Sequence, residues 1–179
     1  MELFASLGFA GTTIKDIAQK AGVTEGALYR HYKSKEEMAI ALFDRELSII
    51  KEFLTASAAG EKAPALRLRD IIEYLYSSYL EKPWPLLFVI LNFQNLQGES
   101  RLDNKKHIYD DITDYIRDLF QDQPGIRDYE FLATMITGLI VQPIIFHHYQ
   151  RLSKHPVEYI EEISKSCEAL AAQKTDRRK

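Results

Sequence analysis

Sulfur chemistry has little to work with in this chain. Its one cysteine, Cys167, cannot form an internal disulfide, and no charged segment followed by an apolar run opens the sequence. The expectation is a reducing, cytoplasmic location. Six prolines and eight glycines among 179 residues exclude collagen-like and long flexible segments, while 46% apolar and 11% aromatic residues exclude a disordered chain. Strand-type alternation is rare. The sequence contains no GxSxG, no P-loop, no GxGxxG and no HExxH, which weighs against an enzyme. A helical enzyme or a protein-binding adaptor is the class that these absences leave open. Adjacent His147 and His148 diverge by about a hundred degrees on a helix and no cysteine cluster supports them, so neither a metal nor any other cofactor is expected. Phe131 to Gln150 carries no formal charge and is nearly long enough for a membrane span. It is diluted by Thr134, Thr137, Gln142 and Pro143 and has no basic flank, so it reads as a buried helix and no membrane partner is expected.

What is present is helical periodicity, and the fold class it implies is all-α. A short first helix carries Leu3, Phe4 and Leu7 and stops at Gly8. "TTIKDIAQKAG" follows, with Thr12 or Thr13 as N-cap and Gly22 just past the end. Thr24 caps a third short helix. Ser34 caps a fourth, with Glu37 at capping-box spacing, and that helix runs into the fifties. Composition loosens at "TASAAGEKAPA". Further helices are expected at about 64–81, from Pro85 into the nineties, at about 101–122, from about Arg127 to Leu152, and from about Pro156 to Ala172. The domain reading is a helix-turn-helix unit over residues 1–46 and a larger helical unit over 47–179.

The formal charge of −3 gives no global sign of a polyanionic partner, but the charge is unevenly spread. Between Gly11 and Lys35, five cations (Lys15, Lys20, Arg30, Lys33, Lys35) face two carboxylates (Asp16, Glu25). Two short helices joined at Gly22, with hydroxyl, imidazole and ammonium donors on and after the second, suit the phosphates of nucleic acid. The competing reading makes Tyr29 and Tyr32 core residues and the lysines ordinary solvated charges; for Tyr32 packing is favoured. Leu7, Phe9, Ile14, Ile17, Ala18, Val23 and Leu28 are expected to form the small core.

The stretch "LFASLGFAGTTIKDIAQKAGVTEGALYRHYKSKEEMAIAL", Leu3 to Leu42, resembles the TetR/AcrR family of transcriptional regulators. The resemblance implies that Thr13, Tyr29, His31 and Lys35 hold DNA phosphates while Thr24, Glu25, Gly26, Ala27 and Arg30 face the major groove. Arg30 is the expected guanine reader, because a guanidinium can bridge O6 and N7. Glu25 has two readings: acceptor from a cytosine amine, or helix cap that repels phosphate. The resemblance also implies a homodimeric repressor on a palindromic double-stranded operator, released by a small-molecule effector bound among the helices of the second unit. Trp84, Phe88, Asn92 and His147 are the candidate effector contacts, against the alternative that each is plain packing. The 3-4-3 spacing of Ile160, Ile163, Cys167 and Leu170 suggests a seam that pairs with its symmetry mate. Cys167 as a redox sensor across that seam competes with an inert buried thiol. The aspartates from Asp110 to Asp122 read as a solvated face or, alternatively, a divalent-ion site.

Overall fold

The computed structural model describes residues 1–96, 108–122 and 128–172. Among these it contains helices and turns only. The helices are α1 (Glu2–Gly11), α2 (Ile14–Ala21), α3 (Glu25–Tyr29), α4 (Lys35–Ala58), α5 (Pro64–Glu81), α6 (Pro83–Leu96), α7 (Ile108–Phe120), α8 (Tyr129–His148) and α9 (Ile160–Ala172), with a 3₁₀ turn at Pro156–Tyr159. The all-α expectation therefore holds. The chain divides into two compact units, one of Met1–Ile50 with Lys82–Ile108, the other of Lys51–Glu81 with Tyr109–Lys179.

In the first unit an aromatic chain joins α1 to α6. Phe4 is almost fully buried and lies 5.5 Å from the ring of Phe88, which in turn meets Phe43 of α4 edge-on at 6.2 Å. Gly8 makes this possible: at φ 73°, ψ 170° it interrupts the helical dihedrals of α1 in a region that side chains with a Cβ avoid. The resulting kink returns Phe9 onto Phe4, stacked at 5.9 Å. Thr12, fully buried, closes the corner by donating its hydroxyl to Gly8 O at 2.8 Å. On α4 the residues Met38, Ala39, Phe43, Leu47 and Ile50 are buried, and on α6 Leu86 to Ile90 are buried without a break, the pattern of a helix covered all round. Leu7 and Val23, expected in this core, are exposed. The reason is geometric: α1 meets α6 through Phe4, whereas Leu7 is left beside Gly11 on the outer side of the kink.

In the second unit α5 is central. Leu68, Ile71, Ile72, Leu75, Tyr76 and Tyr79 are buried, a stripe at helical spacing that packs on α8, α9 and the 3₁₀ turn. Tyr76 donates its hydroxyl to Ile140 O on α8 at 2.9 Å, and Thr113 of α7 meets Thr137 of α8 at 2.9 Å, so these polar groups are paired where their helices cross. The C-terminal end of α4 joins this unit through Ser57, 2.6 Å from Tyr115.

Both ends of α8 and the start of α9 differ from expectation. The helix expected at 101–122 is observed as α7 from Ile108; residues 101–107 lie outside those described. Helix α8 starts later, capped by Asp128, whose carboxylate accepts from Phe131 N at 2.9 Å. It also ends earlier, because Gln150 adopts φ 56° and Arg151 N donates back to Phe146 O at 2.7 Å, a closure that stops the helix. Before α9, His155 and Glu158 form a capping box that holds Pro156–Tyr159 in a tighter turn. Helix α8 is the only described helix long and apolar enough to cross a membrane by length and composition; one face of it, Leu132, Ile136, Ile140 and Ile144, is buried inside the unit.

Candidate functional site

Each residue that orients α3 is visible in local chemistry. Thr13 caps α2: its hydroxyl accepts from Asp16 N at 3.1 Å while its own N–H donates to the Asp16 carboxylate at 3.1 Å. The Thr13 hydroxyl also donates to the Asp16 carboxylate, and that bond first, then the one from Thr13 N–H, holds the Asp16 carboxyl below its ordinary range. Gly22 ends α2 in the left-handed conformation at φ 69°, ψ 28°, and Val23 N donates to Ala18 O at 3.0 Å. The chain then turns into Thr24, whose hydroxyl accepts from Ala27 N at 3.2 Å to start α3. Ser34 caps α4, its hydroxyl accepting from Glu37 N at 3.1 Å, while the Glu37 carboxylate accepts from Lys33 N.

The outer rim so built is polar and open. Thr24, Glu25, Gly26, Tyr29, Arg30 and His31 are exposed and Ala27 is half-buried. Glu25, Gly26 and Tyr29 share one face of α3, with Arg30 at its cap. The Arg30 side chain makes no hydrogen bond or ion pair among the described residues, so its five guanidinium donors are free to bind. A Cβ placed on Gly26 would meet nothing within 4 Å, so the glycine answers no packing need inside the chain. It keeps a low point in the rim.

The local cations divide. Lys20 pairs with Glu2 at 2.8 Å. Lys35 turns inward, donating to Phe9 O at 2.8 Å and Thr12 O at 2.9 Å. Lys15 and Lys33 are exposed. Sequence reasoning did not single out Lys15; its place just inside the first turn of α2, beside Thr13, was the available signal.

The effector candidates do not form one group. Phe88 is fully buried between Phe4 and Phe43, which leaves its ring faces to protein rather than to a ligand. Trp84 is half-buried in the same unit, and the Asn92 side chain lies outside those described. His147 belongs to the second unit, where its Nδ1 is 2.9 Å from the Tyr79 hydroxyl and its ring meets His155 at 4.9 Å.

That histidine cluster has a pH consequence. Nδ1 of His155 accepts from Val157 N at 3.2 Å, so the ring holds the start of the 3₁₀ turn only while that nitrogen is unprotonated. Burial, then the neighbouring His147, lower the pKa of both His155 and His148. With folded-state values below the unfolded one, the unfolded chain takes up protons first. Stability is therefore complete above about pH 6.5 and is lost as pH falls through and below it. These histidines are expected to lower the melting temperature between about pH 6.5 and 5.5. Melts of the wild type beside His155→Asn and His148→Asn check this, since each variant should flatten part of the drop.

The dimerisation candidates also separate. Cys167 is fully buried within its own chain, and Ile160 and Ile163 are half-buried. Their seam lies on a helix that packs against α5 and α8 of the same subunit. Burial pushes the Cys167 thiol up to about 12, the behaviour of an inert thiol and not of a redox sensor. Leu170 instead lines a groove of about 910 Å³ together with Met135, Leu139, Pro143, Phe146 and Ala169. Phe131, Met135, Leu139 and Phe146 put an exposed apolar stripe along α8. On α7 the carboxylates are drawn into ion pairs, Asp114 and Asp118 with Arg117 and Asp111 with Lys51. No cluster suited to a metal ion occurs among the described residues.

Two capped helices joined by a left-handed glycine, with a polar rim on the second, have the arrangement of a helix-turn-helix unit. The model for bacterial regulatory proteins of the tetR family matches residues 1–42, the N-terminal part of the chain. The transcriptional repressor KstR2 of Mycolicibacterium smegmatis is 53% identical over 36 residues, 20% of this chain and 18% of its own length. The transposon Tn10 TetC protein of Escherichia coli is 29% identical over 94 residues, 52% of this chain and 42% of its own. The chain thus spans less than half the length of these curated relatives. Among solved structures, the TetR family regulator PfmR of Thermus thermophilus superposes with a TM-score of 0.71 at 19% identity over 92% of each chain. A gamma-butyrolactone receptor described as ArpA-like gives 0.69 at 18% identity, over 94% of this chain and 90% of the other. These two likenesses show a shared fold.

Proposed function

We propose that this chain is a sequence-specific DNA-binding transcriptional regulator that acts as a homodimeric repressor in the cytoplasm and leaves a palindromic operator when a small molecule binds. The observation that carries the reading is the rim of α3: an unpartnered Arg30 beside a Gly26 with open space above it. A guanidinium without an internal partner costs nothing to redirect to a base edge, and a missing Cβ lets the helix backbone come close to the groove. Thr13, Tyr29, His31 and Lys35 then serve the phosphates, joined by Lys15 and Lys33, and Thr24, Glu25, Gly26, Ala27 and Arg30 face the bases. Support for a released repressor comes from relatives, one named a repressor and one named a receptor for a small lactone. Residues 1–46 do the reading and residues 47–179 hold the effector and the partner subunit. The exposed stripe of α8 with the adjoining groove is the surface offered to that subunit, since two reading heads must be held about 34–36 Å apart to enter successive major grooves.

A pair of substitutions tests the reading. Arg30→Ala should flatten discrimination at one base pair by about 1–3 kcal/mol. Gly26→Ala should leave the fold equally or more stable, by up to about 1 kcal/mol, while weakening DNA binding. Competition among duplexes with single base changes, alongside thermal melts, measures both. A Gly26→Ala protein that binds DNA as well as the wild type, with Arg30→Ala equally selective, would remove α3 as the reader.

A further inference from the structure

We propose that the 3₁₀ turn between α8 and α9 is an acid-sensitive latch: a proton taken up by His155 opens the turn and loosens the face on which two subunits pair. The effect on pairing rests on the dimer reading above; the opening of the turn does not. His155 immediately precedes Pro156–Tyr159, and its Nδ1 accepts from Val157 N at 3.2 Å while its own N–H donates to the Glu158 carboxylate at 3.1 Å. A ring nitrogen that accepts a hydrogen bond carries no proton, so the neutral imidazole holds its proton on Nε2. A second proton can go only to Nδ1, where it meets the Val157 N–H, and two donors then face each other across the cap. The ring is held in place on other sides as well: Tyr79 of α5 stacks on it at 5.0 Å, and His147 of α8 meets it edge-on at 4.9 Å. His147 Nδ1 is itself 2.9 Å from the Tyr79 hydroxyl. That contact survives a proton, because a hydroxyl can accept as well as donate. His155 is thus the member of the cluster whose bond a proton breaks.

The charges nearby set the direction of the response. Burial first, then His147, hold the His155 pKa below the ordinary histidine value, and Glu158 opposes them. From α5 the ring meets only the neutral phenol of Tyr79. From α9, Glu161 and Glu162 stand in the first turn, and Glu161 is held by Arg69 and Lys165; Lys154, next in the chain, is an exposed cation. With the turn closed the ring resists a proton, and with the turn open it regains an ordinary value. The open form therefore takes up protons first and gains weight as pH falls below about 6.5. Position carries this to the surface. The turn packs against α5, α8 and α9 and lies in the chain between Leu152 and the start of α9. Leu152, whose N–H is 3.3 Å from Phe146 O, walls the apolar groove together with Phe146 of α8 and Ala169 and Leu170 of α9. Opening the turn loosens Leu152 and the start of α9 together, so two walls of that groove lose their fixed separation.

The test compares the intact protein at about pH 7.5 and about pH 5.5, on either side of histidine titration, at a temperature where circular dichroism shows it folded at both. Sedimentation velocity gives the dimer dissociation constant, which should rise about tenfold or more in acid as each departing subunit takes up a proton. Hydrogen exchange read by mass spectrometry gives the protection of residues 152–159, which should fall in acid once the intrinsic pH dependence of exchange is removed. His155→Asn separates the latch from general acid sensitivity: a carboxamide can cap Val157 N as the imidazole does, but it does not titrate. Its dimer constant and its exchange should be the same at both pH values. His155→Ala has neither cap nor charge and should pair as weakly at the higher pH as the wild type does at the lower. A wild-type constant that does not move with pH, or a His155→Asn protein that weakens in acid as steeply as the wild type, would overturn the latch. A protein monomeric at both pH values removes the dimer reading and its control together; protection of 152–159 that still falls in the wild type and not in His155→Asn then upholds the opening of the turn alone.

Discussion

Phe88→Ala is expected to destabilise the protein by about 3–5 kcal/mol, a large share of the roughly 5–15 kcal/mol that holds a domain folded. The ring is fully buried and touches Phe4 at 5.5 Å and Phe43 at 6.2 Å. Removing it takes away the middle of a three-ring chain that links α1, α6 and α4. Helix α1 has ten residues and a break at Gly8, so it has little stability of its own and depends on this docking. Loss of Phe88 should therefore free α1, and with it the corner to which Lys35 is bonded, so that DNA binding falls together with stability. Urea unfolding followed by circular dichroism gives the stability change, and a binding isotherm gives the other. If Phe88 were an effector contact instead, the variant would keep its unfolding midpoint and lose response to the effector alone. That result would return the residue to the ligand pocket proposed from sequence.

Leu139→Glu is expected to convert a dimer into a monomer while leaving the subunit folded. Leu139 is 37% exposed in the single chain and lies on the same outward stripe as Phe131, at 63%, and Met135, at 39%. A carboxylate there remains hydrated in the free subunit, so the fold should change by no more than about 0.5 kcal/mol, but it would be buried without a partner between two copies. Without the second reading head the advantage of two linked contacts disappears, and affinity for a palindromic duplex should fall by about 10²–10⁴. Sedimentation velocity and DNA titration read the two effects. Cys167→Asp gives the contrast. Its side chain is enclosed by its own chain, so it should unfold the second unit instead of parting two subunits. A folded Cys167→Asp monomer, with Leu139→Glu still dimeric, would restore the α9 seam as the interface.

Much of the reading unit was legible because its signals are local. Thr13, Thr24, Ser34 and Glu37 stand where helix starts need them, and Gly22 marks the left-handed stop of α2; such bonds span three or four residues and depend little on the rest of the fold. What stayed hidden depends on tertiary direction. Ile160, Ile163, Cys167 and Leu170 form a seam that any cover satisfies, and periodicity does not say whether the cover is α5 and α8 of the same chain or a second copy. An aromatic at Phe88 serves a pocket wall and a core equally well by composition. The inward turn of Lys35 arises from carbonyls 23 and 26 residues away, a distance over which a charge pattern carries no orientation. The exposure of Leu7 follows from the backbone reversal at Gly8, which the sequence marks only as a glycine. Helix α8 was hard for a further reason: an uncharged helix fits a buried core, a membrane span and a subunit interface alike.

The central claim is that α3 reads base edges in two symmetric copies. Selection of bound duplexes from a random pool by the purified protein, at a fixed salt concentration near physiological, tests it most directly. The account predicts enrichment of an inverted repeat whose half-site centres lie about 10–10.5 base pairs apart or a multiple of that, and loss of preference at one symmetric pair of positions when Arg30→Ala is selected in the same way. A pool that emerges without any shared sequence, or with a single unpaired site that Arg30→Ala selects equally well, would contradict it.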